Sequence, residues 1–254
     1  MTEGDPIFSL NVGAQTDKGR LRDHNEDSLA LVPEAGLWAV ADGMGGYAAG
    51  DVASAIIAEE LASLGIPVSA QDQRARVLER LERAHGRILS HGRANDVPVM
   101  GATIAALLIH GSELTCIWAG DSRIYLWRDG RLTPLTRDHS EVAQMVAAGT
   151  MTEAEARLAP RRNVITRAIG IGAEACPELV SGAVRPGDRL LICSDGLTEH
   201  LDDADLAQEL ALPAPPGDIA ARLIAQTLAR GARDNVSVVV IDCAALPDTE
   251  TEAS

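Results

Sequence analysis

Aspartate recurs beside a turn-forming residue at five separated places in the sequence. Three of these places follow apolar runs (LWAVADG, LTCIWAGDS and LLICSDG), whereas the last precedes one (DNVSVVVID). Turn formation explains any one of them, because Asp and Gly are common turn residues. It does not explain Asp at all five, which are residues 25–27, 42–43, 120–122, 194–196 and 233–235. We therefore expect several strand ends to aim carboxylates at one point.

The chemistry that such a cluster could perform follows from its donor atoms. Carboxylates brought together repel one another, so a positive charge must lie among them. All candidate donors are oxygens, which favours Mg²⁺, Mn²⁺ or Ca²⁺ over Zn²⁺. Two such ions ~3.5–4 Å apart activate a water molecule for in-line attack on phosphorus. Arg22 precedes the first cluster and could grip a phosphate, or could form a surface salt bridge with Asp23 or Asp27.

The elements that must position these carboxylates can be predicted from the hydrophobic pattern. Strands rich in apolar and β-branched residues are predicted at 29–32, 37–41, 103–109, 114–119, 123–128, 189–193 and 236–242. Helical patterns occupy 48–64, 71–93, 141–148, 153–158, 204–210 and 218–230. Blocks of strands with hairpin-type links, alternating with helix pairs, favour antiparallel sheets with helices on their outer faces. The pattern predicts a β-sandwich flanked by helices in one domain.

The composition of the 254 residues excludes several classes of protein. Acidic residues outnumber basic ones by 37 to 22, so the net charge of −15 argues against nucleic acid as a partner. The sequence has no basic leader and no apolar run of ~20 residues, so we expect neither a signal peptide nor a membrane span. The cysteines, Cys116, Cys176, Cys193 and Cys243, form no C-x-x-C pair and are interpreted as buried side chains in a reducing cytoplasm.

Three other phosphate-handling mechanisms are excluded by missing residues. A cysteine-based phosphatase needs an arginine six positions after its cysteine, and no cysteine in this sequence has one. A P-loop needs G-K-[ST], but Lys18, the only lysine, is followed by Gly19 and preceded by Asp17. A protein kinase needs a strand lysine, which the sequence lacks. These exclusions favour hydrolysis that depends on metal ions.

Eight segments resemble, in order, the motifs of one enzyme family. They are RDHNEDS, WAVADGMGG, GATIAALL, AGDSRIYLWRDG, LTRDHS, NVITRAIG, LLICSDGLTEHL and DNVSVVVID. Each is weak alone, but their order along nearly the whole chain is specific. The sequence resembles the PPM family, the type 2C metal-dependent protein phosphatases, in its bacterial single-domain form. The resemblance implies an α+β fold: a four-layer α-β-β-α sandwich of two mainly antiparallel sheets, flanked by helix pairs, with a flap subdomain.

The resemblance also implies domain boundaries and a function. The phosphatase domain would span residues 9–243 with a flap at about 137–164, between flexible ends at 1–8 and 244–254. Such a protein would hydrolyse phosphoserine and phosphothreonine in proteins, as a cytoplasmic monomer that opposes a bacterial Ser/Thr kinase and acts on that kinase and its substrates. Two alternatives stay open: an inactive relative that binds phosphoproteins, and a phosphatase of a small phosphorylated metabolite. In the flap, Arg161 and Arg162 are predicted to contact acidic or phosphorylated substrate segments.

The family's metal ligands can be carried over residue by residue. Two central Mg²⁺ or Mn²⁺ ions would be bridged by Asp42, with the Gly43 carbonyl contributing to one of them. Asp195 and Asp234 would complete the shell of the first ion. A third, weaker ion, as in bacterial relatives, would be held with the help of Asp121. All of these positions fall in the motifs quoted above.

The resemblance implies roles for the residues around the ions as well. Glu26 would hold the second ion, directly or through water, and Asp27 would orient metal-bound water. Arg22 would bind the substrate phosphate, and Asn235 would support Asp234. These positions lie in RDHNEDS and DNVSVVVID.

One position departs from the pattern of many eukaryotic members. They have a histidine after the Asp-Gly pair as a proposed general acid, whereas this sequence has Met44, as is common in bacterial relatives. Methionine has no proton to donate to the leaving group. Metal-bound water or another histidine must then supply it. His24 and His139 are the conceivable donors, although a structural or surface role is favoured for each.

Overall fold

The computed structural model describes residues 8–45, 49–161 and 163–245. The strands in that part of the chain are β1 (Phe8–Asp17), β2 (Asp27–Val32), β3 (Leu37–Gly45), β4 (Met100–Ala102), β5 (Ile104–His110), β6 (Glu113–Ala119), β7 (Arg123–Arg128), β8 (Arg131–Pro134), β9 (Glu178–Ala183), β10 (Arg189–Cys193) and β11 (Val236–Ala245). The helices are α1 (Ala49–Ala62), α2 (Ala70–Ala94), α3 (Glu141–Ala147), α4 (Glu153–Leu158), α5 (Asp195–Thr198), α6 (Asp203–Leu210) and α7 (Pro216–Ala229).

The strands form two sheets in which every neighbouring pair is antiparallel. One sheet has the order β1-β11-β10-β7-β8, and the other has the order β2-β3-β5-β6-β9, with β4 paired to the end of β3. Alternation of side chains along the central strands explains how each sheet buries both faces. In β11, Val239 and Ile241 face the other sheet, whereas Val238 and Val240 face helices.

Three apolar cores lie between four layers. The central core lies between the sheets and includes Trp38 from β3 and Ile192 from β10. A second core packs α1 and α2 against β2, β3, β5 and β6, with Leu81 fully buried. The third packs α5, α6 and α7 against the other sheet, with Leu223 fully buried. The predicted α-β-β-α sandwich is confirmed.

The strand bounds differ from the prediction at the edges of the sheets. β1, β8 and β9 were not predicted, because edge strands bury little; all six residues of β9 are exposed. Phe8 pairs with Ala245, so β1 and β11 extend each other beyond the boundaries expected at residues 9 and 243. Ala244 is likewise paired, with Ser9, and the remaining residues of the two predicted flexible ends lie outside the described part of the chain. Among the cysteines, Cys176 is exposed, contrary to the prediction.

Among the described residues, no helix combines the length and the apolar character that spanning a bilayer requires.

Candidate active site at one edge of the sandwich

One edge of the sheet that contains β2 and β3 brings three acidic positions together: Asp27, Asp42 and Asp121. Asp27 and Asp42 lie directly opposite each other in the β2–β3 pair, which places their Cβ atoms about 4.5–5.5 Å apart. The backbone N–H of Thr103 donates to the Asp42 carbonyl at 2.8 Å. The Thr103 hydroxyl is 2.8 Å from that of Ser122, so the turn that carries Asp121 is held beside the same edge.

The other sheet contributes two more carboxylates from adjacent strands. Asp195 opens α5 directly after β10, and Asp234 comes just before β11. Because β10 and β11 are antiparallel neighbours, these two strand ends meet at one edge. The Ser194 hydroxyl, next to Asp195, donates to Asp27 Oδ2 on β2 of the opposite sheet at 2.8 Å. The five aspartates of the sequence pattern therefore lie at a common edge of the sandwich.

The pKa values of these aspartates show that they act on one another. Burial raises the pKa of Asp42 well above its usual range, and the charges of Asp27, Asp195, Asp121 and Asp234 raise it further. The pKa of Asp195 is raised in the same way, by burial first and then by Asp121. Burial also raises the pKa of Asp27 to about 6 and that of Asp121 to about 7. A site that accumulates negative charge in this way favours cations.

Arg22 lies at the open side of this cluster. Its Nη2 atom is 2.7 Å from Asp234 Oδ2, and its side chain is 50% exposed. The alternative pairing of Arg22 with Asp23 or Asp27 is therefore wrong: the partner is Asp234, 212 residues away. The pKa of Glu26 is raised by burial, although the nearby Arg22 charge lowers it. Half-exposed and within reach of the carboxylates, Arg22 is placed to meet an anion that enters the site.

Asn235 holds the loop that carries Arg22 and Glu26. Its Nδ2 atom donates to the carbonyls of Lys18 and His24, each at 2.9 Å. Its Oδ1 atom accepts from the Glu26 N–H at 2.8 Å. Its own N–H donates to Asp234 Oδ1 at 2.8 Å. Asn235 thus supports Asp234 through its backbone, and it fixes the loop through its buried side chain.

Two close backbone approaches at the site require glycine. A Cβ on Gly43 would lie 2.1 Å from the Gly50 carbonyl oxygen. A Cβ on Gly196 would lie 1.9 Å from the Asn235 carbonyl oxygen. These contacts let α1 and α5 begin directly against the strand ends that carry Asp42 and Asp234.

The residues at this edge fit a divalent metal ion by their donor atoms. The donors are carboxylate oxygens, as Mg²⁺ and Mn²⁺ prefer. Asp27 is 8% exposed, and its Oδ1 atom is a buried oxygen with no hydrogen-bond partner among the described residues. In the same part of the chain, no three acidic, histidine or cysteine side chains form a preassembled metal cage. Asp234, one of the candidate ligands, is paired with Arg22.

Comparison with known proteins decides the family. The family profile described as "Protein phosphatase 2C" matches residues 18–235. The chain belongs to the protein phosphatase 2C family. It is 39% identical over 234 residues to the serine/threonine protein phosphatase PstP of Mycobacterium tuberculosis, covering 92% of this chain and 45% of that protein. The chain thus spans about half the length of that relative. It is 30% identical over 238 residues to the protein phosphatase PhpP of Streptococcus pneumoniae, covering 91% of this chain and 97% of that one.

Two solved structures have the same fold. PppA of Pseudomonas aeruginosa aligns with a TM-score of 0.86 at 35% identity, covering 93% of this chain and 99% of PppA. The catalytic domain of PstP, in complex with two manganese ions, aligns with a TM-score of 0.83 at 38% identity, covering 92% and 98% of the two chains.

His139, one of the two histidines considered as proton donors, has a structural role in this phosphatase 2C chain. His139 is buried, its ring stacks on Trp118, and its Nδ1 atom accepts from the Gly120 N–H at 3.2 Å. Burial lowers the pKa of His139, so it is neutral and holds the turn before Asp121. His24 is exposed. Met44 lies on β3 opposite Gly101, beyond the predicted end of this strand at residue 41.

The segment predicted as a flap borders the acidic cluster. It contains α3 and α4, and a bridge between Ser140 and Ile165 closes its base. A cavity of about 640 Å³ lies between this segment and the site, and Asp121 and Asp195 line its inner end. Arg161 forms an ion pair with Glu141 at 2.9 Å and does not join the carboxylate cluster. Arg162 lies outside the described residues.

Four further residues act on the site without having been singled out in the sequence. The charges of Asp138 and Glu199 raise the pKa of Asp121, and the charge of Glu199 also raises that of Asp195. Asp51, at the start of α1, raises that of Glu26. Asp138 occurs in the quoted motif LTRDHS, and Glu199 occurs in LLICSDGLTEHL. These motifs are the feature of the sequence that could have indicated both residues. The fourth, Ser194, adjoins Asp195 but acts on Asp27, a long-range contact that no local pattern indicates.

Proposed function

We propose that this chain is a metal-dependent protein phosphatase that hydrolyses phosphoserine and phosphothreonine in proteins. One observation carries the proposal: the charges of four aspartates from both sheets act on Asp42 at one edge, with Arg22 beside them. The names of PstP, a serine/threonine protein phosphatase, and PhpP, a protein phosphatase, support it. A cluster of oxygen donors with an adjacent guanidinium is suited to phosphate esters.

The metal centre would be built from these side chains. Because the PstP catalytic domain has been solved with two manganese ions, we propose two Mn²⁺ or Mg²⁺ ions here. Asp42 would bridge them, with the Gly43 carbonyl beside it, and Asp195 and Asp234 would complete the shell of the first ion. When bound, such ions lower the pKa of water and neutralise phosphate charge.

The second ion and the weaker third ion would use the remaining acidic residues. Glu26 and Asp27 would serve the second ion, Asp27 through its Oδ1 atom, which lacks a protein partner among the described residues. Asp121 would help to hold the third ion, and the raised pKa of its carboxyl means that metal binding there releases a proton.

The chain's own residues bind and orient the substrate. Arg22 would exchange its contact with Asp234 for two phosphate oxygens, because its half-exposed side chain can reach both. Asn235 would keep the Arg22 loop in place through its bonds to Lys18 and His24. With Met44 in place of a histidine and His139 committed to Gly120, we propose that solvent at the site protonates the leaving group.

The flap would extend substrate recognition beyond the phosphate. We propose that Arg161 and Arg162 contact acidic or phosphorylated segments of the substrate; Arg161 is 70% exposed on its side chain despite its pairing with Glu141. Reversal of both charges should slow turnover of phosphoproteins while turnover of a small aryl phosphate stays unchanged. Equal loss on both substrates would contradict this role.

The cellular setting belongs to the same proposal. We propose a cytoplasmic monomer that opposes a Ser/Thr kinase, with that kinase and its phosphorylated substrates as partners. The family membership of the chain supports phosphoproteins as substrates.

The deciding experiment measures hydrolysis with and without metal. Purified protein should hydrolyse p-nitrophenyl phosphate and a phosphothreonine peptide with Mn²⁺ and lose both activities in EDTA. Asp42→Asn and Asp195→Asn should abolish turnover and leave a folded protein. An inactive phosphoprotein-binding relative would bind the peptide without turnover. A metabolite phosphatase would prefer a small sugar phosphate to the peptide.

A further inference from the structure

Ser194 stands at a helix N-cap and does not cap its helix. It directly precedes α5, yet its side chain makes no hydrogen bond to that helix. A serine at this position ordinarily accepts a hydrogen bond from an N–H group in the first turn. The fully buried Ser194 hydroxyl instead donates to Asp27 Oδ2 across the sandwich. The side chain therefore serves the acidic cluster and not the helix.

The direction of the Ser194 hydroxyl is fixed by its surroundings. The backbone N–H of Ser237 donates to Ser194 Oγ at 2.9 Å. A serine hydroxyl has a single proton, and that proton is directed to Asp27 at 2.8 Å. Because Ser237 lies on β11, the strand ladder itself sets the orientation of the hydroxyl.

A circuit of hydrogen bonds closes around Asp27. The Ser237 hydroxyl is 2.7 Å from that of Thr16. Asn25 Nδ2 donates to Thr16 Oγ1 at 2.8 Å, and the Asp27 N–H donates to Asn25 Oδ1 at 3.2 Å. We call Thr16, Asn25, Ser194 and Ser237 the Asp27 circuit. Its members come from β1, the loop before β2, the end of β10 and β11, so it ties the two sheets together at the site.

The two carboxylate oxygens of Asp27 differ in their hydrogen bonding. Oδ2 is bound by Ser194. Oδ1 is buried and has no hydrogen-bond partner among the described residues. A buried carboxylate oxygen without a partner carries a desolvation cost, which a ligand at the site would relieve.

We propose that Ser194 and Ser237 are positioning residues for the metal centre. They hold Asp27 in one orientation, with Oδ2 bound to the protein and Oδ1 kept for the divalent cations. This inference rests on the proposed function. Residues that orient the ligands of a metal ordinarily contribute about 10–100-fold to metal affinity or activity.

The test measures Mn²⁺ binding by calorimetry in Ser194→Ala. We expect affinity for Mn²⁺ to fall about tenfold or more and kcat on p-nitrophenyl phosphate to fall similarly. KM should change little, because Ser194 does not face the phosphate site at Arg22. The matched control is Thr115→Val on β6, which removes another buried residue's hydroxyl, 3.2 Å from that of Ser181 on β9. The control should bind Mn²⁺ as the wild type does.

A double-mutant cycle separates positioning from a general loss of stability. If Ser194 acts through Asp27, Ser194→Ala should weaken Mn²⁺ binding in the wild type but not in an Asp27→Asn background. Wild-type Mn²⁺ affinity in Ser194→Ala, or an equal loss in both backgrounds, would overturn the inference. Should Ser194→Ala fail to fold, Ser237→Ala carries the same cycle, because it removes the hydroxyl that links Thr16 to the Asp27 circuit while the Ser194–Asp27 bond stays in place. Absence of Mn²⁺ binding in the wild type would instead defeat the proposed function itself.

Discussion

In metal-free protein, removal of the Asp121 charge should stabilise the fold increasingly as pH rises. Asp121 is 9% exposed, and burial raises the pKa of its carboxyl from 3.8 to about 7, with further help from the charge of Asp138. The folded chain therefore keeps a proton at Asp121 that the unfolded chain has already lost. Because the folded state binds more protons, the free energy of unfolding falls as pH rises between those two pKa values.

The size of the effect follows from the two pKa values of Asp121. Between about pH 5 and about pH 7.5, the difference in proton binding corresponds to about 2.5 kcal/mol of unfolding free energy. Asparagine has nearly the same shape and never ionises. The stability of Asp121→Asn relative to the wild type should therefore rise by about 2.5 kcal/mol across this range. Groups that titrate independently of Asp121 cancel in that difference.

Urea unfolding in EDTA, followed by circular dichroism at both ends of this pH range, measures the effect. Asp205→Asn is the matched control. Arg230 lowers the pKa of Asp205 to about 2, so this carboxyl is ionised in both states throughout the range. The change in unfolding free energy caused by Asp205→Asn should therefore not vary with pH. If the difference in unfolding free energy between Asp121→Asn and the wild type is also independent of pH, the electrostatic description of the site is refuted.

Three further predictions concern the groups around the carboxylates. Arg22→Ala should raise KM for p-nitrophenyl phosphate roughly tenfold, because a charge-assisted contact contributes about 1.5–3 kcal/mol; an unchanged KM would remove Arg22 from the phosphate site. Asn235→Ala should lower the free energy of unfolding in urea by about 3 kcal/mol, since three buried bonds at 2.8–2.9 Å are lost; a loss under about 1 kcal/mol would show that the loop is held otherwise. Gly196→Ala should cost about 3 kcal/mol in the same assay, because its Cβ would lie 1.9 Å from the Asn235 carbonyl oxygen; wild-type stability would contradict that contact.

The sequence was most informative where hydrophobic pattern and turn chemistry agree. The predicted α4 and β10 coincide with the structure at both ends, because their boundaries carry a capping threonine and an apolar run. The convergence of aspartates could be predicted for the same reason: each one follows or precedes a strand with a clear pattern. The edge strands β1 and β9 could not, since they lack a continuous buried face that would produce a pattern.

Side-chain pairs between residues far apart in the chain could not be predicted from the sequence. The partner of Arg22 is Asp234 and not an acidic residue in its own loop, because the strand order of the folded sheet decides which loops meet. Ser194 directly precedes α5, yet its hydroxyl donates to Asp27, 167 residues away. Only the packing of the two sheets places that buried carboxylate within reach.

The central claim is that Asp42, Asp195 and Asp234 converge on divalent cations. Anomalous diffraction at the manganese edge, from crystals grown with MnCl₂, tests it most directly. We predict two peaks about 3.5–4 Å apart, with Asp42 contacting both and Asp195 and Asp234 contacting one. A map without a peak among these three carboxylates, in crystals that bind manganese elsewhere or nowhere, would contradict the account.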